Sequence, residues 1–309
     1  MKRANGFLNI DGYFIKKYKR KYPEELIKKI NDTHYIIEID GERYYFKKTK
    51  YPYTELLAYE VAKFLEIPAI EYDLAYFQSM HGVISKDYKK EGANYISGQD
   101  ILFQYLKNMW ELEKMGLVSN EYNRFSKNAP FSFNINNIEI IWQAIEHRYK
   151  KLKIDIDIKS IMDSLILYFI FNILTLQCDG MSQNWVLEEN EAGVSLAPIF
   201  DNEMCFLIND KLGLPNSNLS TNFNDIGRGN YQILDEFLKI SSEEYNILFQ
   251  EKFNMLTLEA FNGLINNIEN KIETQIPLKI KEEYIKLFNF NRQNIEEVLK
   301  YYPVTQKRN

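Results

Sequence analysis

Alternation of apolar and polar positions marks the first clear element. In HYIIEIDGERYYFKK two β-rich runs flank Asp40 and Gly41, a dipeptide suited to a two-residue type I′ turn, so the segment predicts a hairpin. Its second run places Tyr45 and Lys47 on one face and Tyr44, Phe46 and Lys48 on the other. After Pro52 the period lengthens: Leu57, Val61, Phe64 and Leu65 form the apolar stripe of a helix in TELLAYEVAKFLEI, with Thr54 as its expected cap. Pro68 stops that helix, AIEYDLAYF reads as a further strand, and GVIS at 82–85 reads as its antiparallel partner. From about Gly98 helical periods take over, in DILFQYLKNMWELEKM, NNIEIIWQAIEHRYKKL and IKSIMDSLILYFIFNILTLQ. A β-rich interruption, NWVLEENEAGVSLAPIF, and a polar stretch from Asn216 to Asn230 precede helical segments that run to the end.

The pattern is α+β in two lobes: a small β-rich N-lobe with one helix over residues 1–96, and a mainly helical C-lobe over 97–309 that contains a hairpin. Such a boundary is a common place for a nucleotide. The chain is long enough for one large core or two small ones sharing a cleft, and its 45% hydrophobic and 26% charged residues are ordinary for a globular protein. The most apolar stretch, Ile161 to Leu176, contains Asp163 and Asn172 and is too short for a membrane span, so it predicts a buried helix. With no apolar run at the start to suggest a secretory signal, the expected location is the cytoplasm, without a membrane partner.

Cys178 and Cys205 form no C-x-x-C pair, and His34, His81 and His147 form no H-E-x-x-H pair. With no G-x-S-x-G elbow either, zinc hydrolases and serine esterases are excluded as readings. Net charge is −5, divided into +6 over the first 50 residues and −11 over the remainder. The basic stretch Tyr13 to Lys29, interleaved with tyrosines, reads as a solvated helix face, and the acidic remainder argues against a nucleic-acid partner.

Phosphoryl transfer from ATP needs a cation on the phosphates, an aspartate near the acceptor hydroxyl, and oxygen ligands that hold Mg2+ against the phosphates. Lys47 ends a strand after three aromatic residues, and Glu55 lies near the start of the next helix, where it can pair with that lysine; Lys48 is the competing cation. Asp179 and Asn184 stand five apart in CDGMSQNW, the separation of base and metal ligand in a kinase catalytic loop. Asp201 follows the apolar run LAPIF and supplies the second metal ligand. Asp225 and Asn230 show the same separation, but no strand flanks them.

These stretches resemble the HipA-like serine/threonine kinases. TELLAYEVAKFLEI is similar to that family's first helix, with Glu55 and Ala62 at matching positions and Thr54 and Glu66 standing for its Asn and Gly. QCDGMSQNW followed by APIFD is similar to its catalytic stretch at Asp179, Asn184, Trp185, Ala197, Pro198 and Asp201, and GVISKDYKKEGANYISGQDIL to its lobe-connecting region. The resemblance spans about residues 30 to 260. It implies a protein-kinase-like fold in the single-unit form without an extra N-terminal subdomain, ATP and Mg2+ as cofactors, and transfer to serine or threonine of a protein substrate. Because members include toxins restrained by a partner protein, it also implies a toxin-type role and an antitoxin-type partner.

In this scheme Asp179 is catalytic, Lys47 and Glu55 bind the nucleotide, and Asn184 and Asp201 hold the metal. Gly180 and Met181 stand where the family has Arg and His, and the loop KKINDTH lacks glycine, so a catalytically silent nucleotide- or protein-binding module stays open. A small-molecule or lipid kinase also stays open, since the same groups serve either acceptor. Ser217, Ser220 and Thr221 are candidate sites of self-phosphorylation.

Overall fold

A computed structural model of the chain describes residues 3–9, 14–17, 34–77, 80–114, 138–177, 182–206 and 234–303. Among them the N-terminal part builds a seven-stranded sheet in the order β1-β2-β6-β7-β5-β4-β3, from β1 (Arg3–Ala4), β2 (Phe7–Asn9), β3 (Phe14–Lys17), β4 (His34–Ile39), β5 (Glu42–Lys48), β6 (Asp73–Phe77) and β7 (Met80–Lys86). The predicted hairpin is β4–β5. Ile39 pairs with Glu42, and Asp40 and Gly41 both take positive φ, as a type I′ turn requires. Phe14–Lys17 is a strand paired antiparallel to β4, which corrects the helical reading for these four residues; the rest of the basic stretch Tyr13 to Lys29 lies outside the described residues. The predicted strand from Ala69 shortens to β6, and Ala69 makes an isolated parallel bridge to Ile199.

Helix α1 (Pro52–Phe64) begins two residues before Thr54, with Tyr51 at its N-cap. Proline fits the first helical position because its missing N–H would have no partner there. Thr54 therefore does not cap; its buried hydroxyl instead hydrogen bonds to the Tyr284 hydroxyl at 2.8 Å. The helices that follow are α2 (Gly98–Lys114), α3 (Ile138–Leu152), α4 (Ile158–Leu174), α5 (Glu243–Met255), α6 (Leu258–Ile272) and α7 (Leu278–Leu299), with 234–240 also helical. A second, three-stranded sheet runs β10-β9-β8, from β8 (Asn94–Ser97), β9 (Val186–Asn190) and β10 (Gly193–Leu196). Asn184 closes a 3-10 turn, Ser182–Asn184, so the strand predicted to begin there starts at Val186.

Two cores hold this arrangement. Ile37, Ile39, Phe46, Ala75 and Ile84 pack behind the large sheet. The main core runs without interruption from Leu57 and Val61 of α1 through Leu165 and Phe169 of α4 to Phe261 and Phe288. Helix α4 is apolar almost all round, which is the pattern of a helix with neighbours on every side. Among the described residues no helix is long and apolar enough to cross a membrane. At its C-terminus the Asn291 amide donates to the carbonyls of Ile173 and Leu174, both at 3.0 Å, filling acceptors that a helix end leaves open. Gly98 opens α2 against Trp185: its N–H donates to the Trp185 carbonyl at 3.0 Å, and a Cβ at Gly98 would overlap the indole ring.

Candidate active site

Strand β5 lies between β4 and β7, so its last residues are fixed from both sides, with Lys47 opposite His34 and Val83. Alternation sends Phe46 into the core behind the sheet and Lys47 toward α1, where only 8% of Lys47 is exposed. Its Nζ donates to Glu55 Oε1 at 3.0 Å and to Asp201 Oδ1, and lies 3.3 Å from Glu203 Oε2. Lys48, the competing cation, is exposed.

Glu55 comes from the first turn of α1 and is fully buried. Its second carboxylate oxygen accepts the Asn202 backbone N–H at 2.8 Å, so one side chain fixes both the lysine and the turn that carries Asp201. That turn is held from several directions. Ile70 N–H donates to the Ile199 carbonyl at 2.9 Å, Ile199 N–H to the Pro68 carbonyl at 2.9 Å, and Asp201 N–H to the Tyr72 hydroxyl at 3.3 Å. Asp201 itself takes a left-handed φ of 62°, a conformation uncommon outside glycine, asparagine and aspartate. Beyond it, Phe206 N–H donates to the Thr175 carbonyl at 2.9 Å and the Cys205 thiol to the Thr175 hydroxyl at 3.3 Å. The turn after Asp201 is thus stitched to a residue four positions before Asp179.

Burial decides the protonation balance. It pushes the Glu55 carboxyl up from its ordinary value of 4.5 to about 7, against the pull of the Lys47 ammonium and with Asp201 adding to the rise. For Lys47, burial disfavours the charge, yet Glu55, Asp201 and Glu203 together outweigh it and hold the ammonium well above its ordinary value. Tyr72 is kept neutral, chiefly by burial and then by the Glu55 charge.

Of the five site residues predicted from sequence, Lys47, Glu55 and Asp201 meet around one ammonium. Asn184 is 1% exposed at the end of the 3-10 turn, separated by Trp185 from β9, whose hairpin with β10 leads back to Asp201. Asp179 lies outside the described residues, as do Cys178, Gly180, Met181, Asp225, Asn230 and the candidate sites Ser217, Ser220 and Thr221. Two members of the cluster were not foreseen. Glu203 carried a usable signal, a second carboxylate two positions after a candidate ligand; Tyr72 carried none, being one tyrosine among 22.

The donor chemistry suits a magnesium nucleotide. Three carboxylates around one ammonium leave an excess of two negative charges when all are ionised, which a divalent cation balances. Among the described residues no three His, Cys, Asp or Glu side chains are arranged to hold a metal by themselves. Magnesium is commonly held by one or two carboxylates, with phosphate oxygens and water completing the octahedron. Asn202 Oδ1 is buried beside Asp201 and has no hydrogen-bond partner among the described residues, which leaves one further oxygen at the site.

The same architecture, a sheet-bearing part followed by a helical part, occurs in a solved structure. The proinflammatory kinase CtkA of Helicobacter pylori superposes with a TM-score of 0.60 over 89% of this chain and 97% of that one, at 15% identity. The fold is that of a kinase. A second solved structure, HipA of Shewanella oneidensis in complex with HipB and operator DNA, is matched over 88% of this chain and 59% of that one, at 11% identity and a TM-score of 0.44. No protein-family model matches the sequence, and no curated protein matches it. Within the kinase fold, Lys47 and Glu55 belong to the small lobe and Asp201 to the loop that follows the C-lobe hairpin.

Proposed function

We propose that the chain is an ATP- and Mg2+-dependent kinase that transfers the γ-phosphate to serine or threonine hydroxyls of a protein. The observation that carries this reading is the buried Lys47–Glu55 pair closed by Asp201, three groups drawn from β5, α1 and the loop after β10. A buried ammonium with three carboxylates is costly to desolvate, and such arrangements gather at functional sites. The protein acceptor rests on the resemblance of the catalytic stretch.

Bound ATP and magnesium supply the transferable phosphoryl group and the cation that offsets charge developing on it. Lys47 would hold the α- and β-phosphates, kept in place by Glu55, while Asn184 and Asp201 would hold the magnesium. Asp179 would orient the acceptor hydroxyl and take up its proton, which places the nucleophile in line with the bond that breaks. Incubation of purified protein with γ-labelled ATP, magnesium and a bacterial lysate tests the reading. Label should enter protein with the native chain, and Asp179→Asn and Lys47→Met should abolish the transfer while Asp179→Asn still binds ATP. Undiminished transfer by either variant would remove the assignment.

A further inference from the structure

Glu203 stands at the lysine cluster and has no part in the phosphoryl-transfer scheme. It is the first corner of a tight turn, Asn202 to Cys205, closed by the Cys205 N–H donating to the Asn202 carbonyl at 3.0 Å. The turn is fastened on both sides, by the Asn202 N–H donating to Glu55 at 2.8 Å and the Phe206 N–H donating to the Thr175 carbonyl at 2.9 Å. The backbone therefore keeps Glu203 where its Oε2 lies 3.3 Å from Lys47 Nζ.

The three carboxylates around Lys47 are not equivalent. Glu55 is fully buried and its second oxygen holds the Asn202 amide, while Asp201 accepts a hydrogen bond from the ammonium and has its own N–H on the Tyr72 hydroxyl. Glu203 has neither anchor. Among the described residues its carboxylate makes no hydrogen bond and Lys47 is its one ion-pair partner. Its side chain is also the most exposed of the three, at 30% against 22% for Asp201 and 0% for Glu55. An ammonium has three N–H donors, and Glu55 and Asp201 take two. One remains for a phosphate oxygen, and Glu203 is the carboxylate that can give way to it.

We propose that Glu203 competes with nucleotide phosphates for Lys47 and so makes nucleotide binding depend on magnesium, an inference that rests on the reading of Lys47 as the residue that holds the phosphates. A triphosphate without metal brings more negative charge to a lysine already ringed by carboxylates, and it has to displace Glu203 to reach the ammonium. When magnesium accompanies the nucleotide, the displaced Glu203 carboxylate is no longer left beside uncompensated phosphate charge. Glu203 is thus a specificity residue that separates magnesium-loaded from free nucleotide.

Titration calorimetry of the full chain with ATP, once in magnesium and once in EDTA, tests it. Glu203→Gln keeps the size of the side chain and removes its charge. Metal-free ATP should then bind about tenfold more tightly, the scale of one unit-charge repulsion across a few ångströms of a partly exposed cleft. Binding with magnesium should stay within about twofold of native, so the enhancement by magnesium shrinks by nearly the whole of that factor. Glu203→Ala should repeat the gain, and unchanged circular dichroism shows both variants folded. Glu259→Gln, at an exposed carboxylate in the first turn of α6, should leave both titrations as in the native chain. An equal gain from Glu259→Gln would assign the effect to net charge and overturn the proposal. A loss of magnesium-dependent binding in Glu203→Gln, with metal-free binding unchanged, would make Glu203 a metal ligand and overturn it too. Magnesium-enhanced binding that Glu203→Gln leaves unaltered overturns this proposal alone, whereas no ATP binding to the native chain even with magnesium removes the kinase reading and this proposal together.

Discussion

Replacing Glu55 by glutamine separates the stability of the site from its use. Burial raises the Glu55 carboxyl from 4.5 to about 7 in the folded chain, so the native state holds a proton that the unfolded state releases between those values. The stability contributed by this group is fully present below pH 4.5 and is lost as pH rises through about 7. At about 1.4 kcal/mol per pH unit the loss comes to about 3 kcal/mol by pH 8. Lys47 does not disturb this window: its pKa is raised, so its contribution is constant at every pH below its ordinary value of 10.5. Glutamine resembles the protonated acid: its one oxygen can accept the Asn202 N–H, and its NH2 then faces Lys47 as the hydroxyl of the protonated acid would. Glu55→Gln should therefore match the native chain in urea unfolding near pH 4.5 and exceed it by about 3 kcal/mol at pH 8. The same variant should bind ATP more weakly, because Lys47 loses the carboxylate that orients it toward the site. A variant less stable than the native chain at pH 8, with the gap widening as pH rises, would show that attraction to Lys47 outweighs burial and refute the reasoning.

Other perturbations reach the remaining parts of the site. Asp201→Asn removes the proposed metal ligand, so phosphate transfer should fall by about 100-fold or more, and titration calorimetry should find ATP binding no longer enhanced by magnesium. Gly98→Ala drives a methyl group into the Trp185 ring, and overpacking of this kind should lower unfolding free energy by about 1–3 kcal/mol in denaturant titration. Asn291→Ala strips the cap from the Ile173 and Leu174 carbonyls; with Asn291 buried, a loss of about 1–3 kcal/mol is expected, read as a lower melting temperature.

Periodicity made the long elements legible. The stripe in α1, the apolar run of α4 and the Asp40–Gly41 hairpin all occur in place because each is specified by side chains a few positions apart. What local pattern does not encode is how an element begins when a better partner lies far away. Thr54 is a good cap by composition, yet Pro52 starts the helix first and Tyr284, 230 residues on, takes the hydroxyl. The chemistry shows the same division. Lys47, Glu55 and Asp201 are readable because strand-end, first-turn and post-hairpin positions are themselves sequence signals. Tyr72 and Glu203 join them only through folding, by accepting an amide from Asp201 and by facing Lys47 across the site.

The position of Asp201 shows why these contacts matter to one another. A left-handed aspartate costs conformational energy that its own segment does not repay, and strained residues persist where their surroundings over-determine them. Here the surroundings are the Pro68–Ile70 segment, Tyr72 and Glu55, all contributed by the first quarter of the chain, together with Thr175 at the end of α4. Glu55 binds both Lys47 and the amide next to Asp201, so α1 cannot shift without moving the cation and the carboxylate together. The helix that supplies Glu55 is packed on α6 and tied to α7 through Thr54, which extends the same constraint into the helical half. The site is consequently set by the seating of α1 against the rest of the molecule. Substitutions at that seat, far from any phosphate, are expected to act on Lys47 and Asp201 as a unit.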